Sequence, residues 1–423
     1  MTDGALHVRR TIDAVWRIES TRLIAGLARM VRDVGLAEEL AQDAFLAALE
    51  HWTADGVPDK PGAWLMATAK RRAIDRLRQQ QLHARKQLQI DHDEDWLPAL
   101  AGADPEAAAD DVFGDDVLRL VFTACHPVLS PDAQVALTLR LLGGLTTEEI
   151  ARACLVPEPT VAQRIVRAKR TLADAHVPFE VPGRDALPER LAAVLGVVYL
   201  IFNEGYAATS GAHWMRPALC DEALRLGRIL AALAPAEPEV HGLLALMELQ
   251  ASRMGARTQA DGTPILLLDQ DRGRWDRLYI QRGLASLARA ERQGGANGSY
   301  ALQAAIAACH ARARTADATD WVRIADLYTA LLHVLPSPVV ELNRAVAVAM
   351  AHGPQAGLTA VDALANAPAL RDYHLLPSVR GDLLAKLGRL AEARGEFERA
   401  AALARNEREA EFLRRRAAAL ATD

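Results

Sequence analysis

The sequence predicts an all-α protein of three helical domains: a helical domain over residues 1–86, a helix-turn-helix domain over 116–176 and a C-terminal helical-repeat domain over 189–423. Three observations carry this. At 423 residues the chain exceeds one hydrophobic core. Alanine, leucine and arginine dominate while aromatic residues make up only 5%, a bias that favours helix over sheet. Apolar residues recur at helical spacing between breaks rich in glycine and proline.

In the first domain, Asp33-Val34-Gly35 is a turn signal. After it, Leu40, Ala41, Ala44, Phe45, Ala48, Leu49 and Trp52 fall on one side of a helix over 36–52. On its other side, Glu38 and Gln42, and Glu39 and Asp43, are each four apart and line an exposed acidic strip. Solubility alone also accounts for such a strip. Residues 51–62, with Asp55-Gly56, Pro58 and Pro61-Gly62, read as a loop. A second helix over 63–80 turns Trp64, Ala67, Ile74 and Leu77 inward and carries Lys70, Arg71, Arg72, Asp75 and Arg76. Neutralising phosphates with such a cluster releases counterions, giving salt-sensitive nucleic-acid affinity, and Trp64 offers stacking surface to an unpaired base. A solvated charged face is the other reading.

Charge is patterned along the chain, although the net value is only −5. Lys70 to Lys86 holds seven basic residues against Asp75, whereas 87–118 contains no Lys or Arg. Residues 87–115, with Pro98, Gly102, Pro105 and Gly114, therefore read as an acidic linker. A second linker, 177–188, holds three prolines and Gly183.

Between the linkers lies the strongest local signal. Gly143-Gly144 stops one helix, and Thr146 with Glu149 forms a capping box for the next. Pro159 suits the first position of a following helix, where its missing N–H costs nothing. Val161, Ile165, Ala168 and Leu172 then form its inward stripe. The outward face presents Thr160, Gln163, Arg164 and Arg167, with Lys169 and Arg170 near the end. Gln and Arg make paired hydrogen bonds to base edges in the major groove, and the later cations meet phosphates. An ordinary amphipathic helix with a solvated basic face would share this pattern. In the turn, Leu155 stands where a glycine is usual; a left-handed backbone there would cost about 1–2 kcal/mol.

Beyond the second linker, Val339–Met350 and Leu358–Leu364 pair across Gly353, and Leu375–Leu387 and Ala391–Leu403 pair across Gly388. The two glycines lie about 35 residues apart, close to the tetratricopeptide period. Leu387-Gly388, Ala393, Phe397 and Ala400 sit where that repeat places small and aromatic residues.

Other chemistries find little support. Cys125, Cys154, Cys220 and Cys309 are widely spaced and read as buried, reduced thiols. The N-terminus lacks the apolar core of a signal peptide, and the longest apolar stretch, Leu191 to Phe202, is too short to span a bilayer. A cytoplasmic protein with no membrane partner is expected. Asp269, Asp271 and Asp276 lack the glycine and terminal glutamate of an EF-hand, so no metal is expected. No nucleophile–base pair or phosphate-cradling loop is present, so neither an enzyme nor a cofactor is expected. Asn203, Glu204, His213, Trp214 and Arg216 suggest a small-molecule site, or a hydrogen-bonded helix end at Gly205.

Taken together and in order, these motifs resemble the extracytoplasmic-function class of sigma-70 family RNA polymerase sigma factors. The run 37–45 is similar to sigma region 2.2, 63–77 to regions 2.3 and 2.4, and 129–172 to region 4. The resemblance implies core RNA polymerase (its β′ coiled coil and β flap) and promoter DNA as partners. It implies that Glu38, Glu39, Gln42 and Asp43 contact polymerase. Trp64, Lys70, Arg71, Arg72, Asp75 and Arg76 would engage the −10 element, and Thr160, Gln163, Arg164, Arg167, Lys169 and Arg170 the −35 element. The C-terminal part, with 198–206 as a marker, resembles the tetratricopeptide-like extension of one subgroup, which implies a regulatory role and a protein or peptide partner. A helix-turn-helix regulator that never joins polymerase is the alternative, but it leaves the acidic and basic helices without a role.

Overall fold

The computed structural model describes residues 3–87, 109–154, 156–208, 214–259 and 262–420. Every long element among them is helical, and the only β feature among them is an isolated bridge between Thr258 and Pro264. The chain forms two compact units, Met1–Val197 and Val198–Asp423.

The first unit opens with α1 (Asp3–Val31), α2 (Val34–Asp55) and α3 (Pro61–Gln87). The Asp33 side chain accepts the Leu36 N–H at 2.9 Å and caps α2. Gly56 ends it at φ 87°, a conformation that favours glycine. Leu23, Ile24 and Leu27 of α1 pack with Leu40, Phe45 and Trp52 of α2 and with Leu65, Ala69 and Ala73 of α3. The inward face of α3 is thus not the expected one: Trp64, Ile74 and Leu77 are only half-buried and Ala67 is exposed. Small residues face α1 and α2 because the three helices approach closely. Leu49 also departs from its expected place and lies on the surface.

Next come α4 (Ala109–Ala124), α5 (Pro131–Leu141), α6 (Thr147–Cys154) and α7 (Glu158–Asp174). Helix α4 begins inside the stretch read as linker and packs on α1, where the fully buried Asp116 holds Arg29 at 3.1 Å and Arg119 at 2.7 Å. Residues 88–108 of that linker, and the Leu155 turn, lie outside the described residues. The capping box is formed as expected: the Thr146 N–H donates to Glu149 Oε2 at 2.8 Å, and the Glu149 N–H to Thr146 Oγ1 at 3.1 Å. Pro159 occupies the second position of α7, one residue later than expected, because the helix starts at Glu158. Val161, Ile165, Ala168 and Leu172 are all buried.

Helix α8 (Leu187–Tyr206) starts in the first unit, where Arg190 donates to the Phe122 carbonyl at 2.7 Å, and ends in the second. Gly205 does not end this helix; a Cβ there would lie 2.7 Å from the Cys220 nitrogen, so its bareness serves close approach. Glu204 pairs with Arg216, while His213 lies outside the described residues. The second unit continues through α9 (Pro217–Leu233), α10 (Pro238–Ala251), three 3₁₀ turns (Met254–Ala256, Leu267–Asp269, Arg272–Arg274) and α11 (Arg277–Arg292). Of the aspartates there, Asp271 accepts the Gly273 N–H and Asp276 caps α11. Then follow α12 (Ser299–Arg312), α13 (Trp321–Val334), α14 (Pro338–His352), α15 (Pro354–Asp362), α16 (Leu375–Lys386), α17 (Leu390–Leu403) and α18 (Glu407–Ala419).

Successive helices of this series pack on one another, and Gly353 (φ 97°) and Gly388 (φ 76°) stand at the turns of the α14–α15 and α16–α17 pairs. Ala393, Phe397 and Ala400 are buried between them. Helix α12 lacks a capping side chain of its own; Glu239 of α10 accepts the Tyr300 and Ala301 N–H groups at 3.0 and 3.2 Å instead. Buried Asn406 both caps α18 and donates to the Ala208 carbonyl at 3.3 Å, 198 residues earlier.

All four cysteines are free; Cys125 and Cys220 are buried, Cys154 and Cys309 only partly. Burial raises the Cys125 and Cys220 thiols to about 11 and about 12, which keeps them protonated and unreactive. No helix among the described residues is long and apolar enough to cross a membrane, and no metal-binding cluster is found among them.

Candidate nucleic-acid interface

The acidic and basic residues singled out on α2 and α3 meet across one groove. A cavity of about 230 Å³ there is lined by Leu36, Glu39, Asp43, Arg72, Asp75 and Arg76. Arg72 reaches Asp43 at 3.7 Å, an exposed pair of the kind worth at most about 1 kcal/mol. Glu39, Asp43, Arg71, Asp75 and Arg76 are exposed, and Gln42 and Lys70 half-buried. Trp64, at the start of α3, stands edge-on to Trp52 at 5.4 Å and near His51 at 6.0 Å, so its ring is partly engaged.

Glu38 departs from the expected strip. It is only 2% exposed, accepts from Gln42 Nε2 and Arg140 Nε (2.6 Å each), and pairs with Lys169. Burial alone would raise its pKa, but Lys169 and Arg140 outweigh that and hold the carboxyl below its ordinary value. The turn of α2 that would have displayed Glu38 is covered by α5 and α7. For the same reason Lys169, expected on the DNA-facing side of α7, points to α2. Arg140 was not singled out from the sequence; its signal is a lone cation within the apolar run Val135–Leu142. Trp16 Nε1 donating to the Gly144 carbonyl at 3.3 Å, and Thr21 Oγ1 to that of Leu142 at 3.0 Å, complete the seam between α1 and the turn after α5.

Elsewhere on α7 the outward residues stand as the pattern placed them. Gln163, Arg167 and Arg170 are exposed, and Thr160 and Arg164 half-buried. Arg164 pairs with Asp132 of α5 at 2.8 Å, and Arg170 with Asp174 at 3.5 Å.

Family models match this chain in three places: sigma-70 region 2 over residues 18–83, sigma-70 region 4 over 119–172, and a family of unknown function (DUF6596) over 190–291. The ECF RNA polymerase sigma factor SigK of Mycobacterium ulcerans is 30% identical over 36% of this chain and 78% of its own length. This chain belongs to the extracytoplasmic-function sigma factors of the sigma-70 family. The probable ECF sigma factor SigI of Mycobacterium tuberculosis is 28% identical over 40% of this sigma factor and 57% of its own length. An uncharacterized protein of Rhizobium meliloti is 45% identical over 92% of this chain and 91% of its own. No solved structure matches this sigma factor. The region 2 match spans the α2–α3 groove and the region 4 match ends on α7, so both surfaces fall in the parts that relate this sigma factor to its class. Core RNA polymerase and promoter DNA are the binding partners of that family.

Proposed function

We propose that this sigma factor engages core polymerase through Glu39, Gln42 and Asp43. In this reading Trp64, Lys70, Arg71, Arg72, Asp75 and Arg76 serve the −10 element, and Thr160, Gln163, Arg164, Arg167 and Arg170 the −35 element. It assigns region 2 to residues 1–86, region 4 to 116–176 and the helical extension to 189–423. The observation that carries it is the pairing of opposite rims on one groove: acids on α2 for a basic protein surface, cations on α3 for phosphates. The factor performs no covalent chemistry; it positions polymerase, which catalyses.

The seam at Glu38 adds a requirement. While Lys169 faces α2, it cannot reach a phosphate, and α7 is held against region 2. Promoter engagement by both surfaces then includes parting α7 from α2, with polymerase contacts replacing the seam.

The helical extension is proposed to regulate this step. Helix α8 belongs to both units, so the truncation ends at Val197 rather than within the 177–188 linker, which removes the second unit and keeps Arg190 on the Phe122 carbonyl. The test is run-off transcription with purified core enzyme, comparing the full chain with that truncation. Promoter-dependent transcript with the full chain supports the sigma assignment, and a changed yield on truncation supports regulation. No transcript with either protein, across a promoter library, defeats the assignment.

A further inference from the structure

We propose that the C-terminal unit binds a small organic anion in a cavity walled by α8, α10, α12, α13 and α14, with Arg253 as its counter-charge. This inference does not depend on the promoter reading. The cavity holds about 270 Å³, the size of a metabolite rather than of a folded partner. Leu249, Ile306, Leu331 and Val340 give it apolar walls, while Gln250, Gln303 and Asn343 bring amides to it and Tyr199 and Tyr328 hydroxyls. No aspartate or glutamate lines it. A pocket in which convergent polar side chains and one unopposed charge are set among apolar ones suits a small polar ligand.

The charge comes from an unusual cluster behind the cavity. Arg253 stacks near the rings of Tyr206 (5.9 Å) and Trp275 (5.7 Å), Arg257 over Tyr206 (3.5 Å) and Trp214 (4.3 Å), and Arg272 over Trp275 (4.9 Å). Among the described residues no carboxylate pairs with any of these three guanidiniums. Arg272 donates to the His310 and Ala313 carbonyls and to Thr319 Oγ1, at 2.7, 2.8 and 3.0 Å. Arg257 donates to the Tyr206 carbonyl, and Arg253 to the Tyr206 hydroxyl. The Nε atoms of Arg253 and Arg272 are buried without a hydrogen-bond partner. Burying cations without a counter-ion is expensive, and carbonyls and ring faces offset it only in part. An anion beside Arg253 would complete the compensation.

His310 points to the same place independently. Its side chain is more than nine-tenths buried, its Nδ1 has no partner, and it lines the cavity. Burial first, then Arg253 and Arg272, push the ring down to about 3, so it stands neutral in a positive field. A neutral imidazole on the cavity wall adds a polar group there and leaves Arg253 as the charge.

The test is titration calorimetry on the full chain at constant ionic strength with succinate, citrate, glycerol 3-phosphate and, as uncharged control, succinamide. Saturable binding of at least one anion, absent for succinamide and weakened at least tenfold in Arg253→Gln, is the expected result. The two carboxylates and the phosphate ester tell which anionic group is preferred. If Arg253→Gln loses its helical circular dichroism, Asn343→Leu decides, because it narrows the cavity without touching the arginine cluster. Binding by none of the anions, or binding unchanged in the folded variant, overturns the proposal.

Discussion

Lys169 of α7 and Glu38 of α2 form an ion pair that joins α7 to the helix bearing Glu39 and Asp43. With Arg140 on the same carboxylate, the pair closes the seam between regions 2 and 4. Its partners lie 131 and 102 residues along the chain from Glu38, so it reports on tertiary docking alone.

Replacing Lys169 with alanine should loosen that docking without unfolding either region. Arg140 remains to hold Glu38, so the loss should be about 1–3 kcal/mol. Hydrogen exchange in α5 and α7 should accelerate by the matching factor, while α3 keeps its protection. Unaltered exchange at α7 would show that the pair contributes nothing.

Acid should have a related effect. A carboxyl whose folded pKa lies below its ordinary 4.5 contributes stability that is present above pH 4.5 and is lost as pH falls through the folded value. The seam should therefore hold at neutral pH and weaken below about pH 4.5. Glu38→Gln should remove this part of the acid dependence, read from denaturant midpoints between pH 7 and pH 3.

On the promoter side, Gln163→Ala should relax discrimination at one −35 position by about 1–3 kcal/mol. Arg167→Ala should weaken binding to all sequences alike and lower the salt slope by about one. Arg164 has Asp132 as a competitor for phosphate or base, so Asp132→Ala should raise affinity where Arg164→Ala lowers it. Fluorescence anisotropy against a −35 duplex at several salt concentrations measures all four variants.

Reversing the acids of the groove separates polymerase binding from folding. Glu39 and Asp43 are exposed, and the Arg72–Asp43 pair is long. Glu39→Lys with Asp43→Lys should therefore abolish co-elution with core polymerase while leaving the melting curve nearly unchanged. Retained co-elution would remove α2 from the proposed docking surface.

Where the fold was legible, a local rule decided the outcome. The Thr146–Glu149 box, the Val161-to-Leu172 stripe and the turns at Gly353 and Gly388 each depend on a few neighbouring residues, and each stands in the structure as read. The misplacements share another cause. Glu38 and Lys169 fit a solvated face by periodicity, and only the approach of α5 and α7 turns that face inward. In α3 the reading placed Trp64, Ala67, Ile74 and Leu77 inward, but the packed face carries Leu65, Ala69 and Ala73 instead. The cluster of Arg253, Arg257 and Arg272 had no sequence signal, because a basic residue near aromatic ones is indistinguishable in sequence from a surface cation.

One contact gives the second unit a property that linear repeat arrays lack. An open stack of helix pairs melts from its ends and tolerates shortening, since each repeat meets only its neighbours. Asn406 fastens the last pair to Ala208, near the beginning of the unit. That hydrogen bond ties the end of the extension to its start. Stepwise trimming from the C-terminus should give abrupt collapse at the loss of Asn406 rather than a graded series of shorter, stable pieces.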